Sequence, residues 1–143
     1  MDIGATAISY QKNAILIQGP SGIGKTSLAL QLVERGARFI GDDVVEIFLK
    51  NNRLYCKAKE KLKGVIEVRG LGLVGGLKVA RPAPVLCLIR LHKKPTERLP
   101  KQKTISLLNK KIPVFDFYAC NTTEISVLYA VRTLIGNLTL LKE

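Results

Sequence analysis

Short apolar runs separated by polar turn residues fill most of the chain, and a helical spacing closes it. Ala5–Tyr10 predicts a strand, and Gln11-Lys12-Asn13 a tight turn. Ala14-Ile15-Leu16-Ile17, apolar and partly β-branched, predicts a buried strand, so the chain opens on a hairpin. Ser27–Arg35 is built of helix formers and meets Gly36 as a natural C-cap. Ala37–Gly41 predicts a short strand that ends in Asp42-Asp43. Val44–Leu49 and Arg53–Lys57 flank Lys50-Asn51-Asn52 as a second hairpin. Lys57–Lys63 is basic and predicts a loop or short helix. Gly64–Gly76 predicts a strand running into a glycine-rich turn, with Glu67 and Arg69 on one face, away from Ile66 and Val68.

Pro82-Ala-Pro84 interrupts, and Val85–Ile89 predicts another buried strand. Arg90–Pro100 predicts a polar, basic loop, and Thr104–Leu108 and Lys111–Phe117 two more strands. Asn121-Thr-Thr-Glu124 is a capping pattern with Asn at the cap. Ile125, Leu128, Tyr129, Arg132 and Ile135 then form one helical face that stops at Gly136. The last residues predict a tail or docking segment. The expected fold is α/β, one domain over residues 1–143, with a mixed sheet and flanking helices.

Between the second strand and the first helix stands Gly19-Pro20-Ser21-Gly22-Ile23-Gly24-Lys25-Thr26, a full match to the phosphate-loop pattern G-x-x-x-x-G-K-[ST]. Glycines let the backbone curl so that N–H groups point at phosphate oxygens, and the following helix adds its positive end. Lys25 is placed to reach β- and γ-phosphates, and the Thr26 hydroxyl to ligate Mg²⁺. Asp42 and Asp43 lie at a strand's carboxyl end, where open α/β sheets bind ligands. One of the two could hold Mg²⁺, directly or through water, and the other accept a proton from an attacking hydroxyl. Glu67 is a candidate second Mg²⁺ ligand, and Arg69 a support for it or a phosphate contact. The single histidine, His92, reads as a surface residue of the basic loop.

Composition narrows the partners. The formal net charge is +12. That points to an acidic partner, yet the lysines are spread through the second half with few aromatics and no nucleic-acid-reading motif. DNA and RNA are therefore not expected as partners. Cys56, Cys87 and Cys120 are odd in number and lack a C-x-x-C pair, which predicts reduced thiols and no zinc site. With no signal-peptide pattern and no apolar run of membrane-spanning length, the expectation is a cytoplasmic protein.

The loop at Gly19–Thr26, "RGARFIGDDVVEI" and "IEVRGLGLV", in this order and spacing, resemble the HPr kinase/phosphorylase family, more closely its short form with the C-terminal catalytic domain alone. The resemblance implies a P-loop kinase fold akin to phosphoenolpyruvate carboxykinase. It implies ATP and Mg²⁺ as cofactors and phosphorylation of a serine on an HPr-like phosphocarrier, reversed by inorganic phosphate. It assigns Lys25 to the β- and γ-phosphates, Thr26 and Glu67 to the metal, and Asp43 to the serine proton. Arg98, in Glu-Arg-Leu-Pro, matches the family's arginine in a "DRLG"-type segment. A homo-oligomer is implied, hexameric in the family. Where the family carries a histidine in its first strand, this chain reads Ile3-Gly4-Ala-Thr-Ala-Ile8. That departure keeps a second expectation open: a nucleotide-sensing regulator with impaired catalysis.

Overall fold

Residues 1–141 are described in the computed structural model. The chain begins with β1 (Asp2–Gly4), β2 (Thr6–Tyr10), β3 (Asn13–Gln18), α1 (Lys25–Glu34), β4 (Arg38–Gly41), β5 (Val44–Lys50) and β6 (Arg53–Ala58). A 3-10 turn at Glu60–Leu62 leads to β7 (Ile66–Val68) and β8 (Gly72–Val74). Then follow β9 (Ala83–His92), β10 (Lys103–Leu107), β11 (Lys110–Tyr118) and α2 (Thr123–Leu134). Both hairpins expected from the turn residues form, β2–β3 and β5–β6. Their turns and that of β10–β11 each rest on two residues with positive φ: Gln11 and Lys12, Asn51 and Asn52, Leu108 and Asn109. Paired positive φ suits the right-handed twist of the flanking strands.

Strand β9 organises the sheet. It runs parallel to β3 on one edge, with Leu16 opposite Leu88 and Gln18 opposite Arg90. On its other edge it runs parallel to β11, with Val114 opposite Leu88 and Asp116 opposite Arg90. Its first residues pair with β6 instead, Ala83 opposite Cys56 and Pro84 opposite Tyr55. One strand thus joins the layer β4-β2-β3-β9-β11-β10 to the layer β1-β5-β6, and the mixed sheet curls on itself.

Alternation along the strands fills two apolar layers. Leu16, Leu88 and Val114 meet Val45, Ile47, Leu54 and Cys56 between the halves of the curled sheet. Ile15, Ile17, Cys87, Ile89 and Leu91 face the other way, where Leu28, Ala29 and Leu32 of α1 and Val127, Leu128 and Val131 of α2 cover them. Burial pushes the Cys56 and Cys87 thiols up to about 12, so both stay protonated as small core residues.

Three expectations are corrected. Arg90, Leu91 and His92 belong to β9 rather than to a loop, because β11 extends the pairing through Asp116–Tyr118. The cap of α2 is Thr122, not Asn121. Thr123 Oγ1 accepts the Cys120 N–H at 2.9 Å and donates to the Tyr118 carbonyl at 2.8 Å, which delays the helix start. The buried face of α2 runs through Val127, Leu128 and Val131, leaving Ile125 and Tyr129 exposed. The glycine-rich segment forms its own two-stranded sheet, β7–β8, with Leu71 and Leu73 exposed. Of the expected tail, Lys142 and Glu143 lie outside the described residues.

Gln11 and Lys12 hold φ of 48° and 64°, which costs an L-residue roughly 1–2 kcal/mol and glycine almost nothing. Replacing Gln11-Lys12 with Asn-Gly should raise unfolding stability by about 1 kcal/mol in urea titration. Unchanged or lower stability would show that this turn stores no strain.

Candidate active site

The phosphate loop leaves β3 and passes close under β9. A Cβ on Gly19 would stand 3.1 Å from the Leu91 carbonyl oxygen and 3.0 Å from Ile23 Cγ2, so any larger residue would push the loop and β9 a few tenths of an ångström apart. Gly24, at φ 111°, turns the chain into α1, and its carbonyl accepts the Leu28 N–H at 2.9 Å as the first helical bond. Lys25 opens the helix and folds back: its Nζ donates to the carbonyls of Gly19 at 2.8 Å and Pro20 at 3.2 Å. The ammonium is therefore held at the leading edge of the loop by weak neutral acceptors, which a phosphate oxygen would outcompete.

One carboxylate ties three elements together. Asp42 Oδ1 accepts the Thr26 hydroxyl at 2.9 Å and the Thr6 hydroxyl at 3.0 Å. The first helix, β2 and the end of β4 thus converge on a single oxygen. Asp43 has a different setting. It holds φ 63°, its N–H donates to Thr6 Oγ1 at 3.4 Å, and its carbonyl accepts the Ala5 N–H at 2.9 Å. Its side chain is exposed beside the loop, held there by a strained backbone that β2 keeps in place. The chain therefore separates the adjacent aspartates: Asp42 faces the Thr26 hydroxyl and Asp43 faces solvent.

The other candidates are less drawn together. Arg69 reaches the loop, its Nη2 3.5 Å from where a Cβ on Gly22 would lie. Glu67, two residues earlier on β7, is exposed and forms no ion pair among the described residues. Arg98 is exposed in the segment between β9 and β10. Ser21 and Pro20 are exposed on the loop. Among the described residues no three His, Cys, Asp or Glu side chains cluster as a ready-made cation cage. Thr26 and Asp42 nevertheless offer the one or two protein oxygens that Mg²⁺ accepts when phosphates and water complete its shell. Gly4 lies on the same side as Asp43: its carbonyl accepts Gln18 Nε2 at 2.9 Å, and a Cβ there would meet the Asp43 carbonyl at 3.9 Å.

Two features escape reading by motif. Thr6 is fully buried in β2; a buried hydroxyl demands a partner, and that demand was its only signal. The second is Asp116, a lone carboxylate within an apolar run. Its Oδ1 accepts Arg90 Nε at 2.9 Å and stands 2.6 Å from His92 Nε2, while its Oδ2 accepts Lys103 Nζ at 3.0 Å and Arg90 Nη2 at 3.4 Å. Partial burial pushes the Asp116 pKa up, but the bonds from His92, Arg90 and Lys103 outweigh it and hold the carboxyl well below its usual range.

Residues 4–132 match the family model of the HPr Serine kinase C-terminal domain. The HPr kinase/phosphorylase of Mycoplasma pneumoniae is 45% identical over 60 residues, which are 42% of this chain and 19% of that protein. The HPr kinase/phosphorylase of Streptococcus pneumoniae (strain Hungary19A-6) is 49% identical over 61 residues, 42% of this chain and 20% of that protein. The matched stretch is thus about a fifth of these relatives' length. The solved structure of the Hpr(Ser) kinase/phosphatase from Coxiella burnetii superposes with a TM-score of 0.83 at 26% identity, covering 96% of this chain and 97% of that one. No helix among the described residues is long and apolar enough to cross a membrane.

A lowered carboxyl pKa stabilises the fold above the unfolded-state value and ceases to do so as pH falls. Asp116→Asn should therefore cost about 1–2 kcal/mol at pH 7. The gap to wild type should close as pH drops below about 4. Parallel urea titrations across that range test it; a gap independent of pH would mean that Asp116 contributes packing and not charge.

Proposed function

Since the chain belongs to the HPr serine kinase C-terminal domain family, we propose that it is an ATP-dependent protein kinase that phosphorylates a serine of an HPr-like phosphocarrier. The observation that carries this reading is the division of labour at Asp42-Asp43. Asp42 is bonded to the loop's Thr26, and Asp43 is presented free beside it. Phosphoryl transfer needs positioning and charge neutralisation more than covalent help; in this reading Thr26, Asp42 and Asp43 would supply the positioning and Lys25 the neutralisation.

In this reading the loop's N–H groups hold the β- and γ-phosphates, and Lys25 leaves the Gly19 and Pro20 carbonyls to join them. Thr26 and Asp42 would hold Mg²⁺, with Glu67 approaching from β7 as a further ligand. The metal, when bound, neutralises charge on the phosphates. Asp43 takes the proton of the attacking serine hydroxyl, and returns it in the reverse direction. Arg98 and Arg69 offset charge on the transferring group. The fold is then a P-loop kinase domain of the phosphoenolpyruvate carboxykinase-like kind, acting in the cytoplasm as a homo-oligomer.

Gly4 favours a second reading. The family's histidine would stand beside Asp43 here, and glycine leaves that place without a side chain. A chain so altered could bind ATP through the same loop and report it to a partner without transferring phosphate.

Intact-mass measurement of an HPr-like carrier incubated with the protein, ATP and Mg²⁺ should show one added phosphoryl group. Asp43→Asn should slow transfer by at least about 100-fold while nucleotide binding survives, and Lys25→Ala should weaken the binding itself. Unchanged transfer by Asp43→Asn would remove Asp43 as the base. Tight nucleotide binding with no transfer would put the regulatory reading first.

A further inference from the structure

The sheet face that carries Leu16, Leu88 and Val114 changes character one step further along the same three strands. At the next position on that face stand Gln18, Arg90 and Asp116, side by side in the parallel register of β3, β9 and β11. His92 follows on β9, and Lys103 reaches in from β10. A polar row therefore crosses the carboxyl ends of three adjacent parallel strands, the place where such sheets present their ligand crevices. Above it opens a cleft of about 540 Å³, with Gln18–Pro20 on one wall and Arg90–Lys94 on the other. It borders the leading edge of the phosphate loop, where the Lys25 ammonium rests on Gly19 and Pro20.

The charge here is lopsided. Arg90, Lys93 and Lys94 line the cleft, and Asp116 is the carboxylate that pairs with Arg90 and with Lys103. Asp116 is mostly covered, with 12% of its side chain exposed, whereas Arg90, His92 and Lys103 are 40–54% exposed. The carboxylate thus sits beneath the cations and orders them, while their outer donors stay in reach of solvent. Arg90 spends Nε and Nη2 on Asp116 and keeps Nη1 unspent among the described residues, and the Lys103 ammonium has donors to spare. Arg90 and Lys103 converge on one carboxylate, with Lys93 and Lys94 beside the cleft, and that carboxylate offsets only part of their mutual repulsion. A planar guanidinium fixed by a carboxylate, with ammonium groups beside it, is the donor set suited to a dianionic oxyanion.

We propose that this cleft is a second phosphate-binding subsite, distinct from the phosphate loop, in which Arg90, His92 and Lys103 on their Asp116 base hold a phosphate group, free or carried on a serine. The subsite goes beyond the kinase reading and needs no phosphoryl transfer to be tested. His92 is the single histidine of the chain, so its imidazole proton signal in NMR reports the cleft without overlap. At constant pH and ionic strength, inorganic phosphate should shift that signal saturably, both in wild type and in Lys25→Ala, while chloride should not. Arg90→Gln with Lys103→Gln should weaken the response at least tenfold; Arg90→Lys, which keeps the charge and loses the fork, should give an intermediate loss and guards against a folding defect. A phosphoserine peptide run alongside separates the sources: tighter saturation by the peptide assigns the cleft to carried phosphate, tighter saturation by inorganic phosphate to the free ion. The proposal is overturned if the signal does not saturate, if chloride moves it equally, or if Lys25→Ala abolishes the response while the Arg90/Lys103 variant retains it.

Discussion

The passage of the phosphate loop beneath Leu91 is the constraint on which the site depends. Gly19 is packed so closely against β9 that a methyl group would stand 3.1 Å from the Leu91 carbonyl oxygen, tighter than an ordinary van der Waals contact. The contact fixes the leading edge of the loop relative to the sheet. It exists because β9 is held along both edges, by β3 on one side and by β6 and then β11 on the other. A strand paired on both sides has no freedom to yield, so the loop inherits the rigidity of the sheet. Lys25, the Thr26 hydroxyl and the α1 N-terminus are positioned from there.

The second fixed point is Asp42. A buried threonine in β2 and the first helical threonine share one carboxylate oxygen, so movement of α1, β2 or the β4 turn would break a charge-assisted bond. Thr6 also receives the Asp43 N–H, and the same hydroxyl that orients one aspartate supports the strained backbone of the next. The two adjacent carboxylates acquire different settings through a residue that is in neither the loop nor the Asp-Asp pair.

Most of the fold was legible where local chemistry decides it. The strand–loop–helix around Gly19–Thr26 and the hairpins at Gln11 and Asn51 follow from apolar runs and turn residues. What was not legible depended on partners distant in sequence. Arg90–His92 reads as loop by polarity, and is strand because β11, 26 residues on, pairs with it. Ile125 and Tyr129 fit a helical face by spacing, yet Val127 and Val131 are buried, because the packing of α2 against the sheet chooses the face. In the site, Lys25 and Thr26 were readable from the loop motif and Asp42 from its place at a strand's carboxyl end, and the Thr26 hydroxyl donates to Asp42. The Asp116 cluster had no motif, since its members come from three strands and meet only through register.

Gly4 bears on how much catalysis such a site requires. Its position lies against the Asp43 backbone, and Gln18 uses its carbonyl as an anchor, so the main chain there is structurally engaged although the side chain is missing. Forward transfer from ATP needs a base at the hydroxyl and neutralised phosphates, and in the proposed reading Asp43, Lys25 and the Thr26–Asp42 pair would be that set. The reverse reaction brings a phosphate nucleophile to a phosphoserine, placing extra negative charge next to Asp43, where a histidine would have offset it. In the proposed reading, glycine at this position would therefore weigh more on the reverse direction than on the forward one. The cations along Arg90–Lys94 line one cleft with Gln18 and Gly19. In the proposed reading, that positive charge beside the loop's leading edge would offset part of the negative charge a phosphate nucleophile brings, while reactant and product concentrations set the net direction.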